Sequence, residues 1–162
     1  MNSWSQRTRE VAYLLNPAFC GRLLYTTIRE YERKAKHSCP FPLVYLILPL
    51  VLHKQTRSRI SSRTQLLMWI QANQDLLIGF ARRTKELVVI TNEALELLLQ
   101  SGLVLLTPTG ELRTETSKKS LSKTRYVDPE VSECITKCEH VARWFASTGK
   151  IETIYIGLGV KP

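Results

Sequence analysis

Apolar residues spaced three and four apart recur along most of the chain, broken by proline, glycine and polar connectors, and this pattern predicts a mainly helical protein. Asn16-Pro17 opens the first helix, because Asn is a good N-cap and Pro lacks only an N–H that has no partner in the first turn. Behind it Phe19, Leu23, Leu24, Ile28 and Tyr31 share a face, and Arg33, Lys34 and Lys36 complement the dipole at the end. After Pro40 and Pro42 comes FPLVYLILPLVL, residues 41–52, a buried helix kinked at Pro49 or, as the alternative, a buried strand. A polar basic connector, HKQTRSRISSR, follows, with His53 expected as a dipole partner at the end of the apolar helix.

Three shorter helical patterns lie beyond it. Ser62 with Gln65 has the form of a capping box ahead of Leu66, Leu67 and Ile70. Asn73 is placed to cap a segment carrying Leu76, Leu77, Phe80, Ala81 and Thr84, and Thr91 to cap one carrying Ala94, Leu95 and Leu98, with Gly102 as its stop. LVLLT and ELRTE then flank Pro108-Thr109-Gly110 as a hairpin. Three short helices and a hairpin in this order predict a winged-helix-like core. Residues 116–125, TSKKSLSKTR, are aperiodic and basic. Asp128-Pro129 opens a last long helix with Val131, Cys134, Ile135, Cys138, Val141, Ala142 and Phe145 on one stripe, ending near Gly149. The alternation in IETIYIGLGVKP predicts a terminal strand.

The expected fold class is therefore mainly α with a small β wing. An N-terminal helical segment (1–61) packs on a winged-helix-like core (62–115), a basic linker or loop spans 116–127, and a C-terminal helix and strand occupy 128–162. No internal repeat is visible. The 162 residues suffice for one core with a docked extension, and 44% hydrophobic with 23% charged residues is ordinary globular composition. The opening MNSWSQRTREVAYLL lacks a signal-peptide apolar region, and the 41–52 run is shorter than the ~20 residues of a spanning helix. A cytoplasmic protein without membrane contact is expected, its four cysteines reduced.

A net charge of +9 permits nucleic acid or acidic proteins as partners. Helices that read bases expose cationic or amide groups. The third helix of the winged pattern instead offers Thr91, Asn92, Glu93, Glu96 and Gln100, with two carboxylates and no cation, which favours a protein partner over major-groove readout. The alternative that the motif is only a packing unit stays open. Cations cluster elsewhere, and Arg82, Arg83, Lys118, Lys119, Lys123 and Arg125 are candidates for a sequence-independent contact with DNA backbone, against the ordinary reading of solvated surface.

Catalytic and metal chemistry find little support. STGK at 147–150 resembles the end of a phosphate-binding loop, yet Trp144 stands where the first Gly belongs and Ile151 where the metal-binding hydroxyl belongs. GLG at 157–159 is a weak signal. Cys134 and Cys138 differ by about 40° around a helix, but His140 falls about 200° from Cys138, so these thiols read as core. His37, His53 and His140 have no nucleophile or carboxylate arranged beside them. No catalytic residue, metal or cofactor is expected.

NPAFCGRLL (16–24), FPLVYLILPLVLHKQTR (41–57) and WFASTGKIETIYIGLGVKP (144–162), in this order and spacing, resemble the middle component of bacterial three-component ABC systems, which include the Lamassu-type defences against phages and plasmids. The resemblance implies a small non-catalytic adaptor between an SMC/Rad50-like ABC ATPase, acting as a dimer, and an effector that is often a nuclease. It makes Asn16, Pro17, Phe19, Pro49, His53, Thr56 and Arg57 candidate positions, the prolines and Asn16 leaning structural. With neighbouring Lys54 and Arg59, and the carboxylates Glu93 and Glu96, the expected partner-binding set is Phe19, His53, Lys54, Thr56, Arg57, Arg59, Glu93 and Glu96. The competing class is a stand-alone winged-helix transcription regulator that binds an operator as a homodimer.

Overall fold

A computed structural model describes residues 15–115, 117, 121 and 125–161. Helix α1 (Pro17–Ala35) begins as its sequence demands: Asn16 Oδ1 accepts from the Ala18 N–H at 2.8 Å with Pro17 in the first turn. It buries Cys20, Leu23, Leu24, Ile28 and Tyr31, and Lys36 closes it in the left-handed region at φ 65°. The two-residue strand β1 (Cys39–Pro40) and a 3-10 turn (Phe41–Leu43) lead into α2 (Val44–Val51). Helix α2 is apolar almost all round and buried everywhere except at the half-buried Tyr45, as such a helix must be. It runs through Pro49, so the strand alternative for this segment does not hold.

Five short elements then carry the chain around α2. Helix α3 spans Lys54–Arg59, α4 spans Leu66–Ala72, a 3-10 turn spans Gln74–Leu77, α5 spans Phe80–Glu86 and α6 spans Val88–Gln100. Three expected caps are corrected here. Gln65, not Ser62, is the N-cap of α4, and it makes no side-chain cap bond. Asn73 closes α4 and also stands at the N-cap of the Gln74–Leu77 turn, but its side chain makes no cap bond there and instead donates to Trp69 O at 2.8 Å. The helix carrying Phe80 and Thr84, α5, starts separately from Gly79 at φ 76°. Thr91 is fully buried inside α6, which begins three residues earlier. Gly102, at φ 71°, ends α6 with its N–H on Leu99 O while Leu103 N–H reaches Leu98 O, the paired bonds of a Schellman stop.

Strands β2 (Val104–Leu106) and β3 (Glu111–Thr114) form the expected hairpin, and β1 adds to it antiparallel, giving the order β1-β3-β2. Leu112 faces both Cys39 and Leu106 in register. The sheet thus joins residues 39–40 to 111–112, across the sequence boundary drawn at 61/62. Glu32 on α1 fastens the wing, accepting from Thr114 N–H at 3.1 Å and Thr114 O–H at 2.6 Å.

Helix α7 (Pro129–Thr148) is capped by Asp128, whose carboxylate accepts from the Glu130 and Val131 N–H groups. It lies along α1 and makes with it the most extensive helix pair of the fold, followed by α1 on α6. The expected terminal strand is corrected to a helix, α8 (Ile151–Gly157). Ile154, Tyr155 and Leu158 are buried from it, and Tyr155 O–H donates to Pro42 O at 2.6 Å. No helix among the described residues is long and apolar enough to cross a membrane.

Candidate docking face

Helix α6 occupies the position of a reading helix, next to the wing. Val89, Asn92, Glu96, Leu97 and Gln100 are exposed on it and fall within an arc of about 140°. No cation stands among them. One atom of each amide is already engaged: Asn92 Oδ1 accepts from Tyr45 O–H at 2.8 Å, and Gln100 Nε2 donates to Glu96 at 3.0 Å. Val89 is 47% exposed, Leu97 42%, and Leu106 on the wing 54%, so the face is apolar with an acidic centre. Glu93 departs from the expectation that it would share this face. It is half-buried beside α1, close enough that its charge helps push the Cys20 thiol, already raised by burial, up to about 12. The close α1–α6 approach explains why: a Cβ on Gly21 would lie 3.6 Å from Ala94 O.

Within the 53–59 stretch Thr56 and Arg57 turn inward, while Lys54, Gln55, Ser58 and Arg59 are exposed. His53 caps α3, correcting its assignment as a dipole partner of the preceding helix: Nδ1 lies 2.8 Å from Thr56 Oγ1 and accepts from Thr56 N–H. Burial, then Arg83 and Arg57, hold the ring's pKa below its ordinary value, which keeps Nδ1 free to accept. Thr56 is fully buried and Arg57 is 1% exposed, so neither presents a side chain outward. Arg57 Nε donates to Glu133 at 2.9 Å and Nη2 to Glu130 at 2.7 Å, while Nη1 donates to Val51 O at 2.9 Å and Leu52 O at 3.3 Å. Burial alone would lower its pKa, but the bonds to Glu133 and Glu130 carry it above the ordinary value. Arg57, expected on the partner-binding surface, thus spends its donors within this chain, where it clamps the end of α2 to the start of α7.

The remaining candidates divide by exposure. Lys54 and Arg59 are exposed, with Arg59 paired to Asp75 at 2.9 Å, and Phe19 is half-buried against the core. Arg83 turns back onto Leu76 O and lies 5.6 Å over the Phe80 ring, which leaves Arg82, 3.5 Å from Glu86, as the outward cation of that pair. Arg125 is exposed, and Lys118, Lys119 and Lys123 lie outside the described residues. All four cysteines are buried and none forms a disulfide. Burial raises each thiol, Cys134 to about 11, so none is a ready thiolate.

The described residues thus form a small, mainly helical fold with a three-stranded wing, an α6 face that exposes no cation, and a basic stretch whose Arg57 is buried in ion pairs within the chain. The family is more specific. Residues 4–162 match the ABC-three component system Middle Component 3, and the chain belongs to that family. No curated protein and no solved structure gives a significant match.

Proposed function

We propose that this protein is the non-catalytic adaptor of its three-component system, docking through the α6–wing face onto the ABC ATPase and linking it to an effector. Family membership supports a multi-component setting. The observation that carries the docking role is the composition of the α6 face: Val89 and Leu97 exposed around Glu96, with Asn92 and Gln100 engaged internally. An exposed apolar patch with an acidic centre suits a polypeptide surface and repels a polyanion. The same composition argues against the stand-alone transcription regulator. Likeness of the three segments quoted above to Lamassu-type components supports a role in defence against phages and plasmids, with an SMC/Rad50-like dimer as the ATPase. Of the cations expected at a DNA backbone contact, Arg82 and Arg125 are the exposed members among the described residues.

The test is co-purification of the tagged chain with the ATPase of its own system. Val89→Asp combined with Leu97→Asp removes the complex while the isolated variant keeps its melting temperature to within about 2 °C, since both side chains are half-exposed. A complex that survives both substitutions places the contact elsewhere.

A further inference from the structure

A cleft of about 420 Å³ opens on the side of the molecule formed by the end of α1, the connector between α3 and α4, and the ends of α7 and α8. Its cations are Lys34, Arg63 and Arg143, and no carboxylate lines it. Ser62, Thr64, Ser147 and Thr153 add hydroxyls that find no hydrogen-bond partner among the described residues. The Lys34 ammonium and the Arg63 guanidinium are likewise exposed and have none. Arg143 is shared, at 3.6 Å from Glu30 and 3.9 Å from Glu139, so its charge is partly spoken for. Between Thr148 and Thr153 the chain carries Lys150 at the N-cap of α8 and Glu152 in its first turn, which offset one another.

The connector that presents Arg63 is held rigidly. Trp69 Nε1 donates to Arg59 O at 2.8 Å, Lys137 Nζ donates to Ile60 O, and Trp144 Nε1 donates to Thr64 O. The two indoles pack with ring centroids 5.2 Å apart. Three side-chain donors therefore fix the backbone on both sides of Ser61–Arg63. A preformed pocket of this size, lined by two unpaired cations and free hydroxyl donors with no carboxylate in its wall, matches the needs of a phosphate group: charge neutralisation plus several hydrogen bonds to its oxygens.

We infer that this cleft is a phosphate-binding site, taking either a backbone phosphate of nucleic acid or the polyphosphate of a free nucleotide, with Lys34 and Arg63 as the principal contacts. The site is separate from the α6 face, and its failure would leave the docking role untouched.

The full chain is titrated with a fluorescently labelled single-stranded oligonucleotide and, in a second arm, with inorganic tripolyphosphate and ATP, each at several salt concentrations. Lys34→Gln with Arg63→Gln weakens binding by about tenfold or more at low salt, and lowers the slope of log K against log salt by about 1.4, the value for two single-strand phosphate contacts. Ser147→Glu, which adds a negative charge at an exposed lining position, weakens it comparably. Lys85→Gln with Arg113→Gln removes the same charge from other surfaces and leaves binding within about twofold. Saturation by tripolyphosphate or ATP without oligonucleotide binding makes the free nucleotide the source; oligonucleotide binding with competition by tripolyphosphate makes it the nucleic-acid backbone. The inference is overturned if no ligand binds at low salt, or if the control pair of substitutions loses as much as Lys34→Gln with Arg63→Gln.

Discussion

Replacing Arg57 by Met keeps most of the aliphatic stem and removes four hydrogen bonds at once, two to carboxylates on α7 and two to the carbonyls that end α2. The carboxylates are 50% and 38% exposed, so water solvates them once the guanidinium is gone, and the ~3–5 kcal/mol of a fully buried broken pair is an upper limit. The Val51 carbonyl is different: it is buried and would keep only the weak Cys134 thiol donor at 3.8 Å, so losing Arg57 there costs about 1–3 kcal/mol. Together these give about 2–3 kcal/mol for Met, and slightly more for Ala through lost stem packing. For a chain of this length that is a fall in melting temperature of about 4–12 °C. Urea unfolding read by tryptophan fluorescence measures it directly, because Trp144 lies on α7 and packs on Trp69. Glu130→Gln with Glu133→Gln, which leaves the carbonyl bonds in place, costs less than Arg57→Met. A loss below about 1 kcal/mol for Arg57→Met, accompanied by loss of the ATPase complex, would refute the clamp and return Arg57 to the partner surface. Charge reversal at Arg57 is a poor interface probe for the same reason: it would bury a carboxylate beside two others.

Other outcomes follow from particular residues. Gly21→Ala stabilises by about 0.5–1 kcal/mol, since Gly21 is inside a helix and the new methyl meets only ordinary contacts at 3.6–3.7 Å; a lower melting temperature would show that α1 and α6 have no room for it. Asp128→Ala costs about 1 kcal/mol through two lost cap bonds, measured by the shift of the urea midpoint, and Asp128→Asn recovers most of it. His53 and His140 are both held below the ordinary histidine value, first by burial and then by nearby cations. The unfolded chain therefore takes up these protons more readily, so the stability they contribute is complete above about pH 6.5 and is lost as pH falls through their folded values. Urea midpoints at pH 7.5 and 5.0 show the decline, and His53→Asn, which keeps a capping oxygen, reduces it.

The long helices were legible because their signals are local. Asn16-Pro17, Asp128-Pro129, Gly102 and Gly149 each act within one helical turn, and each ends or begins a helix where expected. Short elements were less so. The IETIYIG segment carries β-branched residues in partial alternation, yet its buried positions, Ile154, Tyr155 and Leu158, follow helical spacing that only the packing partner reveals. Strand β1 is two residues long and owes its existence to the edge of β3, for which Cys39-Pro40 has no local marker. The acidic face of α6 was readable in part: Glu96 lies where helical spacing puts it, and Glu93 does not because α1 covers that side. Arg57 was misplaced because its partners lie 73 and 76 residues downstream, and nothing near HKQTR distinguishes a buried guanidinium from a solvated one.

The tight α1–α7 pairing bears on how the protein is made. Cys20 on α1 lies near Cys134 on α7, and Thr27 bonds Cys138, so contacts that complete the interior join segments more than a hundred residues apart. A growing chain on the ribosome must therefore leave the side of α1 that α7 covers exposed until residues 129–148 have emerged. During that interval a chaperone or a partner subunit translated nearby is the natural cover, which gives synthesis alongside the other components a physical advantage.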